Sequence, residues 1–148
     1  MDDRHRPSVN LAASCACGAV EVRVEGTVRA MLMCSCLDCQ KATGTGHSTF
    51  AILDDNAVAI EGSTRSFERP AASGATFTQT FCPSCGTPIR GRSSRWPDAC
   101  ILPVGLFGKD TDWYAPTQLI FARSHREWDS IADGLPRHAT YRQKREES

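Results

Sequence analysis

Aromatic side chains are scarce in this chain, at 7% of 148 residues, although its apolar share as a whole is an ordinary 41%. A core built from such material relies on small and branched residues, so metal has room to contribute to stability. Net charge is also missing: Lys plus Arg and Asp plus Glu each number 17, and the pI is near 6.9. That balance provides no strong field towards nucleic acid or an anionic membrane surface, so neither is expected as a partner. No apolar run reaches the roughly 18 residues that a spanning helix requires. The opening Met1-Asp-Asp-Arg-His-Arg-Pro7 has no apolar core of a signal peptide, so a cytoplasmic protein with reduced thiols is expected.

Long amphipathic helices are absent as well. Ala19-Val-Glu-Val-Arg-Val-Glu25 alternates, with Val20, Val22 and Val24 on one face, and predicts a half-buried strand ended by Gly26. Ala30–Met33, His47–Leu53, Val58–Glu61, Thr64–Glu68, Thr76–Phe81, Pro88–Arg90, Ala99–Val104 and Gln118–Ala122 read as further short extended runs. Leu37–Ala42 suits one helical turn before Gly44. Short strands separated by Gly, Pro and Asp/Asn turns predict an all-β fold of two packed sheets.

Cysteine is plentiful, with eight residues. Seven fall into three clusters: Cys15-Ala-Cys17-Gly18, Cys34-Ser-Cys36-Leu-Asp-Cys39 and Cys82-Pro-Ser-Cys85-Gly86. Thiolates one or two residues apart can converge on one tetrahedral zinc ion. Residues as close as Cys15 and Cys17 do not bridge easily, which disfavours a disulfide framework. An iron–sulfur cluster would need a different wrapping loop. Pairing Cys15 and Cys17 with Cys82 and Cys85 makes a closed, structural four-thiolate site. Glycine after each knuckle permits positive φ and lets backbone N–H groups face the sulfurs.

Cys34, Cys36 and Cys39 provide three ligands and leave a fourth position. It is either open to water or substrate, the mark of a catalytic zinc, or closed by Cys100, His47 or His125. Cys100, inside Ala99-Cys-Ile-Leu102, otherwise reads as a small core residue. Trp96, Trp113 and Trp128 read as core or pocket walls, and Lys41 as a solvated loop residue. His5 and His138 fall in a leader and a charged tail, with the stretch from Arg137 onwards expected to fray.

These clusters and their flanks resemble the glutathione-dependent formaldehyde-activating enzyme family, which includes centromere protein V. The likeness rests on Cys15-Ala-Cys17-Gly18-Ala-Val, Cys34-Ser-Cys36-Leu-Asp-Cys39-Gln-Lys-Ala-Thr-Gly44, Phe81-Cys-Pro-Ser-Cys-Gly-Thr-Pro88 and Trp128-Asp-Ser-Ile-Ala-Asp-Gly-Leu-Pro136. The resemblance implies a β-tent of antiparallel sheets carrying two zinc ions. Cys15, Cys17, Cys82 and Cys85 would hold the structural one. Cys34, Cys36 and Cys39 would hold the catalytic one, whose fourth position takes the thiol of glutathione or another small thiol. The implied activity is that of a carbon–sulfur lyase joining the thiol to formaldehyde or a related small aldehyde. A non-catalytic, zinc-stabilised thiol-binding or macromolecular interaction module is the rival reading. Ser35 and Gln118 stand where the family often has histidine, which bears on substrate choice. The expected organisation is a disordered leader over 1–10, a zinc-binding β-tent domain over 11–141 and a charged tail over 142–148.

Overall fold

The structure, a computed structural model, describes residues 6–142; the first five leader residues with His5, and residues 143–148 of the tail, lie outside the described residues. The chain divides into two compact units. Unit 1 takes the residues up to Ala30 together with Phe50–Tyr114, and unit 2 takes Met31–Thr49 together with the residues from Ala115 onwards. The fold is all-β, with two sheets and one α-helix among the described residues. No helix among the described residues is long and apolar enough to cross a membrane.

In unit 1, β1 (Ser8–Ser14), β2 (Glu21–Thr27) and β5 (Val58–Glu61) make a three-stranded antiparallel sheet in the order β1-β2-β5. Val20, Val22 and Val24 are buried while Glu21, Arg23 and Glu25 face solvent, as the alternation predicts. Each buried valine contributes roughly 1.5–3 kcal/mol. Gly26 does not end β2. It is needed for close approach instead, because a Cβ there would sit 2.9 Å from the Ala57 Cβ. The leader expectation is also corrected: Ser8, Val9 and Asn10 pair with Thr27, Gly26 and Glu25, so strand pairing captures residues whose own pattern is weak.

Unit 1 also holds a run of antiparallel neighbours: β4 (Ser48–Asp54, through its Phe50–Asp54 part), β9 (Ala99–Pro103), β8 (Pro88–Ser93), β7 (Thr76–Phe81) and β6 (Arg65–Pro70), in that order. The β7–β8 register shifts between Thr80 and Phe81, immediately before Cys82. Such an irregularity re-aims the chain entering a knuckle. No aromatic residue is among the largest fully buried side chains; Met31, Leu53, Ile89, Leu102 and Leu119 head them. Of the three tryptophans, only Trp113 is half-buried, packed edge-on against Phe107 and Tyr114. Trp96 and Trp128 are 56% and 70% exposed and so form no core, since indole is too large for interiors built of valine, leucine and alanine.

Unit 2 contains β3 (Ala30–Cys34, through its Met31–Cys34 part), the helix α1 (Leu37–Thr43) and the two-residue β10 (Leu119–Ile120). The β3–β10 pair is parallel, with Leu119 opposite Met33 and Ile120 opposite Cys34. Gly44, at φ 72°, ends α1 by donating its N–H to Gln40 O at 2.9 Å. The expectation that the chain frays from Arg137 is corrected. Leu119 bridges to Arg137, His138 N–H donates to Leu119 O at 2.9 Å, and Phe121 N–H donates to Thr140 O at 3.0 Å. Backbone pairing holds this segment despite its polar side chains.

Candidate metal centres

Two hairpins of unit 1 build the first centre. β1 and β2 are joined by the Cys15–Gly18 knuckle, in which Cys15 N–H donates to Val20 O at 2.9 Å and Gly18 N–H to Cys15 O at 3.0 Å. β7 and β8 are joined by the Cys82–Gly86 knuckle, closed by Cys82 N–H to Thr87 O at 3.0 Å and Gly86 N–H to Cys82 O at 2.8 Å. Gly18 and Gly86 adopt φ of 81° and 77°, the left-handed turn that the Cys-Gly pattern predicts. The sulfurs of Cys15, Cys17, Cys82 and Cys85 all lie within 4.8 Å of one another. Cys15 and Cys82 are buried, whereas Cys17 and Cys85 are exposed.

Sulfur spacing tests the fit. Zinc–thiolate bonds of about 2.3 Å in a tetrahedron separate neighbouring sulfurs by about 3.7–3.8 Å. The Cys15–Cys17 and Cys17–Cys82 separations are 3.6 and 3.7 Å. Backbone and hydroxyl donors are in place to share the negative charge: Val20 N–H donates to Cys15 Sγ at 3.3 Å, and Thr87 Oγ1 lies 3.1 Å from Cys85 Sγ. Thr87 also accepts Ala16 N–H at 3.1 Å, tying one knuckle to the other. Its hydroxyl and backbone N–H, with the Cys17 backbone, bring the Cys85 thiol down to about 5. Cys17 goes up to about 11, because crowding by Cys15, burial, Cys85 and Cys82 outweigh the lowering by the Ala19 N–H. Four sulfurs at tetrahedral spacing are a donor set that suits a divalent cation.

Unit 2 builds the second centre at the junction of β3 and α1. Cys34 ends β3 and is buried; Cys36 caps α1, its sulfur accepting Cys39 N–H at 3.3 Å. Cys39 lies in the first turn, so the cap itself aims two sulfurs together. The three sulfurs lie within 4.8 Å of one another. Among the described residues no histidine, carboxylate or further cysteine joins them within that reach. The three candidates for a fourth ligand are held elsewhere. Cys100 is buried in β9 of unit 1, where burial pushes its thiol up to about 11. His47 Nδ1 pairs with Asp129 Oδ2 at 2.6 Å, and His125 Nε2 donates to Asp129 O at 2.7 Å.

Crowding again shapes the thiols. Cys36 and Cys39 drive Cys34 far above the usual thiol range, with burial adding to the shift. Cys39 rises to about 11: the Cys34 contact lowers it, as the neighbouring Ser48 hydroxyl also does, but Cys36 and burial outweigh them. The loop is braced by Gln40, whose Nε2 donates to Ser35 O and to Ser124 O, both at 2.9 Å. Both centres could therefore hold metal ions, and their sulfur-only donors are consistent with zinc.

Sequence reasoning grouped the seven cysteines as they lie in space but gave no part to Thr87, Gln40 or Ser48. Thr87 and Gln40 each directly follow a cysteine motif, and that adjacency is the one signal that could have found them. Ser35 and Gln118 are both in unit 2, and the Ser35 hydroxyl and the Gln118 amide oxygen are buried without a hydrogen-bond partner.

Comparisons with known proteins bear on the fold and the family. No curated protein matches the chain. Among solved structures, the crystal structure of a Rhodobacter sphaeroides protein, a structural genomics target, matches with a TM-score of 0.54 and 16% identity, covering 69% of this chain and 92% of that one. At that identity the likeness shows the fold alone. The family profile for the glutathione-dependent formaldehyde-activating enzyme matches residues 10–124, a span that includes all eight cysteines. The chain therefore belongs to the glutathione-dependent formaldehyde-activating enzyme family.

Proposed function

We propose that this protein is a zinc-dependent carbon–sulfur lyase that joins glutathione, or a similar small thiol, to formaldehyde or a related small aldehyde and can reverse that reaction. The observation that carries the reading is the three-sulfur centre at Cys34, Cys36 and Cys39, with no fourth protein ligand in reach among the described residues. The chain also carries a four-sulfur centre at Cys15, Cys17, Cys82 and Cys85, which serves as the structural site. Zinc held by Cys34, Cys36 and Cys39 would supply a positive charge that favours the deprotonated form of an incoming thiol.

The chain's own residues hold that centre in shape. Cys36 caps α1 and receives Cys39 N–H, while Gln40 ties the loop to the turn at Ser124. Burial of Cys34 and Ser35 keeps water from one side of the cluster. In the reaction the thiol sulfur bonds to the carbonyl carbon and the carbonyl π pair moves to oxygen. The thiol proton ends on that oxygen, giving an S-hydroxymethyl adduct with no other reactant consumed. The reverse reaction breaks the same carbon–sulfur bond. Eight free cysteines fit a reducing cytoplasm, and zero formal charge argues against a nucleic-acid partner.

Metal analysis together with calorimetric titration of glutathione tests the reading. The expected result is two zinc ions per chain, glutathione binding in the wild type, and no glutathione binding in Cys36→Ser although that variant stays folded. Two zinc ions with no response to any thiol would point to an inert zinc-stabilised module.

A further inference from the structure

Three polar side chains of unit 2 carry buried oxygen atoms for which the protein provides no nitrogen or oxygen partner: Ser35 Oγ, Ser48 Oγ and Gln118 Oε1. Idle buried polar atoms are uncommon, because each loses its hydration without recovering a hydrogen bond. Three within one small unit, one of them between two cysteines of the three-sulfur cluster, call for a shared cause.

Their positions supply one. Ser48 Oγ lies beside the Cys39 sulfur. Ser35 lies between Cys34 and Cys36, is fully buried, and has its backbone fastened on both sides, N–H to Ile120 O at 3.0 Å and C=O to Gln40 Nε2 at 2.9 Å. Gln118 precedes β10, and its C=O extends the parallel ladder by accepting Met33 N–H at 3.0 Å. Ile120 stands opposite Cys34 in that ladder. Side chains alternate along a strand, so Gln118, two positions before Ile120, faces the same side of the pair as Cys34.

We infer that Gln118 and Ser48, with Ser35 behind them, form a polar subsite of the three-cysteine centre that recognises a hydroxyl or amide group close to the sulfur of the guest thiol. A hydroxyl both donates and accepts, and so can satisfy the Gln118 amide oxygen and the Ser48 oxygen together. A purely apolar thiol leaves both idle. The inference rests on the proposed thiol-binding reading of the same centre and adds the class of thiol selected. It also fits the chemistry of that reading, in which the adduct carries a new hydroxyl one carbon from sulfur.

The test pairs 2-mercaptoethanol with ethanethiol, which differ by one hydroxyl, titrated into the chain loaded with Co(II) in place of zinc and followed by the metal's visible absorption. The quantity read is the ratio of the two dissociation constants, compared between wild type and Gln118→Met. The near-isosteric apolar variant is expected to shift that ratio towards ethanethiol by about fivefold to tenfold, the worth of one hydrogen bond. Ser48→Ala is expected to shift it in the same direction. Thermal unfolding of Gln118→Met is the second readout. An idle amide replaced by an apolar isostere leaves the melting temperature equal or higher. An amide serving the fold, directly or through a bound water, lowers it. A lowered melting temperature, or an unchanged ratio while both thiols still bind, overturns the subsite and leaves the thiol-binding reading standing. If neither thiol perturbs the spectrum, both fall together.

Discussion

Replacing Cys85 by serine isolates what the four-sulfur centre does for the fold. Cys85 is exposed, so the substitution removes a proposed metal ligand without opening a cavity. The centre brings together Cys17 and Cys82, 65 positions apart, and a crosslink closing a loop of that length constrains the unfolded chain by about 4 kcal/mol. Domains of this size are stable by only about 5–15 kcal/mol, so much of the margin disappears if the weakened site releases its metal. In a two-state melt the loss amounts to a fall of roughly 10–20 °C. Cys36→Ser provides the contrast. Cys34, Cys36 and Cys39 lie on one short loop already held by the α1 cap and Gln40, and closing so short a loop is worth no more than about 2 kcal/mol. Thermal melts of the two variants followed by circular dichroism, with zinc present and then with chelator, measure the difference. Chelator should bring the wild type down towards Cys85→Ser. If both variants melt within a few degrees of each other, the division into a scaffold centre and a working centre is wrong.

Thr87→Val removes the hydroxyl that contacts Cys85 Sγ and accepts Ala16 N–H, and should weaken metal affinity by about 10- to 100-fold in a chelator competition, with the backbone retained. Asp129→Ala breaks the contact with His47 Nδ1 and should lower stability by about 1–3 kcal/mol in urea unfolding, with Asp129→Asn recovering part of the loss. Cys100, raised to about 11 by burial, stays protonated at pH 8, since a thiol ionises only as pH approaches its own pKa. Iodoacetamide at that pH should label Cys100 only after unfolding, as read by peptide mass mapping; labelling of the native chain would refute this.

How far the sequence could be read depended on where each contact originates. β2 was legible because Val20, Val22 and Val24 carry its pattern locally. β1 was not, because Ser-Val-Asn-Leu-Ala-Ala-Ser has no clear alternation and is a strand only through its partner. Gly26 looked like a stop, yet its role is to admit Ala57, a contact no local pattern encodes. The cysteine clusters were legible as groups because each knuckle is local and only the pairing between knuckles is distant. The fate of His47 was not, since it depends on Asp129, 82 positions later, and on Gly46, whose missing Cβ leaves room for that carboxylate. The same holds for residues 137–140, whose polar side chains suggest a loose end while their backbone pairs with Leu119, Phe121 and Arg123.

The two halves of unit 2 come from stretches of the chain far apart in sequence, Met31–Thr49 and the residues from Ala115 onwards. The ribosome releases Cys34, Cys36 and Cys39 early, but Gln40 must wait 84 positions for Ser124 before its second bond can form. Until then the thiols are present without the strand and turn that hold their loop. A nascent chain halted before Ala115 would carry three thiols and no finished cradle, so folding of this unit waits on synthesis of its second segment.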